Sequence, residues 1–89
     1  GENHVLRSSS VVQQVAYGDR SVKYRTFDAA ATEILRLNFR PLRVSAGSAA
    51  LAERKDLGEE GYTIQVLAGG DYVVRIRHTK SGEVAVTGP

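Results

Sequence analysis

The sequence predicts an all-β chain, an antiparallel β-sandwich of about seven short strands. Three observations lead there. Apolar residues recur in short runs with period two, the signature of half-buried strands. Glycine-bearing turn signals interrupt those runs at close spacing. Independent hairpin registers near the C-terminus place the same side chains on one face. The 89 residues suffice for one domain, and at this size folding buries roughly 60% of the surface the unfolded chain exposes. With 42% hydrophobic and 25% charged residues, the chain has globular rather than disordered composition. A partly open barrel is the second architecture, because seven short strands can also curl closed.

Residues 1–10 are polar and read as a flexible N-terminal segment, a linker or frayed terminus, leaving 11–89 as the domain. Val11 to Tyr17 is a strand stopped by Gly18-Asp19. Val22 to Phe27 alternates and is rich in β-formers. Asp28 to Phe39 admits two readings. Asp28 can cap a helix over Ala29–Leu37. A strand instead puts Glu33, Leu35, Leu37 and Phe39 on one face before Arg40-Pro41, and the clean alternation favours it. Val44 to Leu51 forms a hairpin with Gly47-Ser48 as a type II′ turn, aligning Val44 with Leu51. Asp56 to Gly61 is a loop.

From Tyr62 to Thr87 three strands are separated by Ala68-Gly69-Gly70 and Lys80-Ser81-Gly82. Both breaks suit three-residue loops, a type I turn followed by a glycine at positive φ. The first pairs Val66 with Tyr72, Ile64 with Val74 and Tyr62 with Ile76. The second pairs His78 with Val84 and Ile76 with Val86. Both keep Tyr62, Ile64, Val66, Tyr72, Val74, Ile76, Val84 and Val86 on one face. A one-residue slip would reverse every side chain, so the two loops together predict a three-stranded meander.

The composition excludes several chemistries. Without cysteine there is no disulfide, thiolate nucleophile, zinc knuckle or iron–sulfur cluster. No apolar run approaches the roughly 20 residues of a membrane helix, so no membrane insertion is expected. Gly1-Glu2-Asn3-His4 lacks the basic-then-apolar pattern of a signal peptide. Gly1 in place of methionine reads as a processed end or an excised domain.

No residue set reads as catalytic, and no cofactor or metal site is expected. His78 ends a strand beside Thr79, Ser81 and Glu83, which the hairpin turn already explains, and a general base needs a partner held beside it. His4 lies in the weak terminus. Glu53, Asp56, Glu59 and Glu60 form a local acidic stretch without a cleft to flank, and no calcium-loop pattern is present.

Arginine is the compositional bias, nine against three lysines. Arg36, Arg40 and Arg43 cluster around Pro41. Arg75 and Arg77 project from the outer face of the central meander strand, beside Thr63, Gln65 and Thr87. Guanidinium groups suit bidentate recognition of carboxylate or phosphate, so Arg75, Arg77, Thr63 and Gln65 are the candidate ligand-binding set. The competing explanation is cross-strand pairing of Arg77 with Glu83 and of Arg75 with Asp71. A net charge of +2 gives only a weak field, and the aromatics form no surface stacking set, so nucleic acid is not an expected partner. Tyr17 and Tyr24 are the candidate sugar-stacking aromatics.

The run from Val44-Ser45-Ala46-Gly47-Ser48-Ala49-Ala50-Leu51 through Gly61-Tyr62-Thr63-Ile64 and Asp71–His78 to Ser81-Gly82-Glu83-Val84-Ala85-Val86 resembles small β-sandwich accessory domains. Such domains, often C-terminal, are attached to large secreted bacterial polysaccharide-processing enzymes. The likeness covers roughly residues 20–88 and rests on the two hairpins, which many β-sandwiches share. It implies an extracellular or periplasmic setting and a non-catalytic role, either packing on neighbouring domains of a parent protein or holding polysaccharide. No ligand residue can be carried over from it. The expectation is a non-catalytic accessory or interaction module of a larger exported protein. The alternative is a carbohydrate-binding module using the outer sheet face.

Overall fold

A computed structural model of the chain describes residues 3–89. Gly1 and Glu2, and with them the reading of the N-terminal end, lie outside the described residues. The described residues contain nine strands and no helix: β1 (His4–Ser8), β2 (Val12–Gly18), β3 (Ser21–Thr26), β4 (Ala31–Leu37), β5 (Arg43–Ala46), β6 (Ala49–Ala50), β7 (Gly61–Val66), β8 (Tyr72–His78) and β9 (Glu83–Thr87). They form two antiparallel sheets, one of four strands in the order β1-β4-β8-β7 and one of five in the order β2-β3-β9-β5-β6.

One core lies between the sheets, built as the alternation dictates. The four-stranded sheet contributes Leu35, Leu37, Tyr62, Val74 and Ile76, and the five-stranded sheet contributes Val22, Tyr24, Val44, Ala46, Val84 and Val86. Burying side chains of the size of Leu or Val contributes about 1.5–3 kcal/mol each before chain entropy is counted against it. Within Asp28 to Phe39, Ala31–Leu37 takes the strand conformation. Glu33, Leu35, Leu37 and Phe39 are all buried, whereas Arg36 between them is exposed. A helix would have spread those side chains around its circumference instead of aligning them on one side. Phe39 lies so close to the last residues that a β-carbon on Gly88 would meet its ring at 2.5 Å.

The Gly47-Ser48 hairpin forms as expected. Leu51 N–H donates to the Val44 carbonyl at 2.8 Å. Gly47 has φ of +62° and Ser48 is not at positive φ, the combination that separates type II′ from type I′. The β7–β8 hairpin also keeps the expected register, pairing Tyr62 with Ile76, Ile64 with Val74 and Val66 with Tyr72. Its loop differs in detail. Gly69 and Gly70 both have positive φ, +98° and +92°, so the turn over Leu67–Gly70 has the positive third position of type II rather than type I.

Three expectations are corrected. The C-terminal meander does not form: β9 leaves the sheet of β7 and β8 and pairs with β3 and β5 in the other sheet. Both edges of β8 are already occupied, by β4 and β7. Lys80-Ser81-Gly82 is therefore an arch between the sheets. Gly82 passes so close to β3 that an added β-carbon would sit 2.5 Å from the Thr26 carbonyl oxygen. Within the N-terminal segment expected to be flexible, residues 4–8 are a strand, because β1 pairs with β4 and its Val5 packs against the core. The described residues hold nine strands rather than about seven, with β1 added ahead of those expected.

Candidate functional site

The candidate residues Thr63, Gln65, Arg75 and Arg77 lie together on the outer face of the four-stranded sheet. The pleat sends Val74, Ile76 and His78 inward and Arg75 and Arg77 outward. Thr63 stands directly opposite Arg75. Gln65 accepts a hydrogen bond from Arg75 Nη1 at 3.2 Å. Arg77 is held differently: its Nη1 donates to the carbonyl oxygens of Leu57 at 2.8 Å and Gly58 at 2.9 Å, pinning the 56–61 loop against the sheet.

The expected pairings of these arginines do not occur, and the arched connection is the reason. Glu83 travels with β9 into the other sheet and pairs with Arg25 at 2.6 Å. Asp71 pairs with Arg36 at 3.2 Å. Among the described residues no carboxylate pairs with Arg75 or Arg77. The register also adds two arginines that hairpin reasoning alone did not bring to this face. Arg7 on β1 is opposite Ile34, and Ile34 is opposite Arg75. Arg36 follows Ile34 by two residues on the same face of β4. The signal for Arg7 was absent from the sequence because residues 1–10 read as a linker. Arg36 was grouped with Arg40 and Arg43, but Arg40 instead lies 4.0 Å from Glu53.

A second cluster lies on the opposite side of the same sheet, inside the molecule. Glu33 and His78 are both fully buried, and Tyr24 reaches them from the facing sheet. Tyr24 Oη donates to Glu33 Oε1 at 2.8 Å. Ser8 Oγ donates to Glu33 Oε2 at 3.0 Å. His78 Nε2 lies 2.7 Å from Glu33 Oε1, and Nδ1 lies 2.8 Å from the Ala29 carbonyl oxygen. A carbonyl only accepts, so Nδ1 carries a proton, and the carboxylate draws a second proton onto Nε2. Burial by itself pushes the His78 pKa down. The Glu33 carboxylate outweighs it together with the backbone around Ala29 and Ser81, and the pKa is raised. Burial foremost, and then the Glu33 charge, raises the Tyr24 hydroxyl as well.

This cluster is closed. Ser8 donates to the carboxylate and not to the imidazole, so the nucleophile-to-base bond that defines a triad is not formed. Among the described residues no buried side-chain polar atom is left without a partner. The arrangement clamps β1, β4 and β8 to β3 across the core. Sequence reasoning placed Glu33 on the leucine-bearing face of β4 without drawing a consequence. An acid in register with Leu35 and Leu37 was the available sign that a partner waits inside.

The remaining candidates resolve simply. Of the two tyrosines considered for sugar stacking, Tyr24 is buried in the clamp and Tyr17 is half-exposed on β2. Glu59 pairs with Arg54 at 3.3 Å, and Asp56 accepts from the Gly58 amide at 3.0 Å, which closes its loop. Among the described residues no group of three or more His, Asp or Glu side chains is arranged to hold a metal ion. The outer face of the five-stranded sheet has a shallow groove lined by Gln14, Lys23, Arg25 and Glu83, where the Arg25–Glu83 pair satisfies both charges internally. In comparison with known proteins, no family model matches the chain, and no curated protein or solved structure is significantly similar to it.

Proposed function

We propose that this chain is a non-catalytic accessory module of a larger exported protein, with a neighbouring domain of that protein as its partner. The observation that carries this reading is an uncovered apolar edge. Val15 and Tyr17 belong to the inward-facing set of β2, opposite Tyr24 and Val22, yet they are 39% and 51% exposed. Leu6, in the bulge of β1, is 56% exposed. The Tyr17 hydroxyl accepts from the Val5 amide at 3.4 Å, so the two strand edges adjoin there. Inward-facing side chains left in water at a sheet edge mark a surface built to be covered. The exported, polysaccharide-processing context comes from the resemblance of the hairpins to accessory domains of such enzymes, and it sets the expected location as extracellular or periplasmic.

Hydrogen exchange tests the reading directly. The segment is measured within the polypeptide that carries it and again as the 89-residue chain. Added protection at residues 5–6 and 15–17 in the longer polypeptide is the expected result. Equal exchange in both settings, or a self-standing reading frame of this length, would overturn it.

A second reading, a carbohydrate-binding module, is favoured by a separate observation. Arg75, Gln65 and Thr63 lie side by side on an outer face where, among the described residues, no carboxylate pairs with Arg75. It is compatible with the first, since a module can pack by one edge and bind by one face.

A further inference from the structure

We infer that the outer face of the four-stranded sheet binds a linear acidic polysaccharide whose carboxylates are held by Arg7, Arg36 and Arg75 around Ile34. The inference rests on the sheet-face reading above and deepens it by naming the charge class of the glycan.

Strand register builds the site. Arg7, Ile34 and Arg75 occupy one row across β1, β4 and β8, so the two arginines flank Ile34 about two strand spacings, or roughly 10 Å, apart. Arg36 closes a third side, two residues along β4. Arg77 is diagonal to Ile34 on β8 and is anchored by peptide carbonyls, which accept its hydrogen bonds without cancelling its charge. The strand rows of this face thus carry four arginines; Asp71, next to β8, pairs with Arg36, and Asp56, Glu59 and Glu60 sit in the loop that Arg77 holds. Those rows hold a surplus of three cations in a chain whose net charge is +2. Arg7 and Arg75 have no carboxylate partner among the described residues.

Charge alone would suit any polyanion. The floor of the site narrows the choice. Ile34 and Val73 are partly exposed between the guanidinium groups, an apolar patch rimmed by cations. An acidic sugar presents both surfaces at once, a C–H face for the patch and a carboxylate for the fork of an arginine. Polyphosphate offers no apolar face. Single-stranded nucleic acid binders combine a cationic groove with aromatic side chains on which bases stack, and the strand rows of this face carry no outward Phe, Tyr or Trp. The open face of the sheet also suits an extended chain lying across the strands.

The test is a titration of the 89-residue chain, followed by NMR at the arginine Nε–H and Ile34 methyl signals. Four probes are compared: an oligomer of galacturonic acid, its methyl ester, inorganic polyphosphate and a thymidine oligonucleotide. Saturable shifts at Arg7, Arg36, Arg75 and Ile34 with the acid, weakening with salt, are expected. The ester should bind at least roughly tenfold more weakly, and Arg7→Gln and Arg75→Gln should each cost roughly tenfold, the effect of losing a hydrogen bond to a charged group. Arg25→Gln, on the other sheet, should leave binding unchanged. Equal binding of acid and ester would overturn the charge assignment while leaving a glycan site on this face. Polyphosphate or the oligonucleotide binding as well as the acid would overturn the sugar assignment. No shift with the acid or its ester would remove the sheet-face reading altogether, and the accessory role would still stand or fall on hydrogen exchange at β1 and β2.

Discussion

The two faces of the four-stranded sheet use the same chemistry in opposite ways. On the inner face Glu33 receives donors from Tyr24, His78 and Ser8, and every partner is accounted for inside the protein. On the outer face, among the described residues, Arg75 bonds to the neutral Gln65 and Arg77 to peptide carbonyls. Burial makes the difference. A charge removed from water must be paired or it is costly, so evolution or chance cannot leave Glu33 open without losing the fold. A guanidinium in water is solvated at no such cost and can wait for a ligand. Closure on one side marks a structural device, and openness on the other marks a surface available for binding.

The largest expected effect comes from breaking the inner face. Glu33→Ala strands the His78 imidazolium and should destabilise the fold by about 3–5 kcal/mol in urea unfolding. Replacing Glu33 and His78 together with leucine should recover much of that loss, because no charge is then left unpaired. Tyr24→Phe removes one hydrogen bond to the carboxylate and should cost about 1.5–3 kcal/mol.

The inner face also predicts a pH dependence with a definite sign. The folded-state pKa of His78 is raised above its ordinary value of 6.5. Its contribution to stability is therefore fully present below that ordinary value and is lost as pH rises through the higher folded value. Urea midpoints should fall as pH rises above 6.5, and His78→Gln should flatten that fall. A midpoint that rises there instead would reverse the assigned protonation state.

Smaller effects belong to the turns and the outer face. Gly47 is at φ of +62°, and a β-carbon there would sit 3.0 Å from Ser81 Cβ. Gly47→Ala should cost about 1–2 kcal/mol in thermal unfolding, the penalty of a left-handed backbone for an L-residue. The double change Arg75→Gln and Arg7→Gln should alter stability by no more than about 0.5 kcal/mol while weakening acidic glycan binding, since neither side chain is committed to an internal ion pair. A large loss of stability there would erase the contrast between the faces.

Much of this fold was legible in the chain. The alternation in Glu33, Leu35, Leu37 and Phe39 fixes which side of β4 is inward, and Gly47-Ser48 fixes a hairpin turn, because both depend only on residues near one another. The β7–β8 register followed from the same local rules, down to the outward placement of Arg75 and Arg77. The destination of β9 did not. Val84 and Val86 face the core whether their strand folds back beside β8 or crosses to the opposite sheet, so the pattern is identical for the two topologies.

The sequence by itself therefore determined the strands beyond β1, most of their inward faces and two of the four arginines of the outer face. Tertiary structure decided which strands are neighbours, and with them the partners. Pairing across a sheet depends on which edges are already occupied, which no local run of residues records. Once β4 and β7 take both edges of β8, Glu83 is removed from Arg77 and given to Arg25. Once β1 takes the edge of β4, Arg7 joins the outer row and Ser8 reaches the buried carboxylate. Those choices of edge turned a row of arginines with expected internal partners into an open cationic face, and an acid among leucines into the clamp between the sheets.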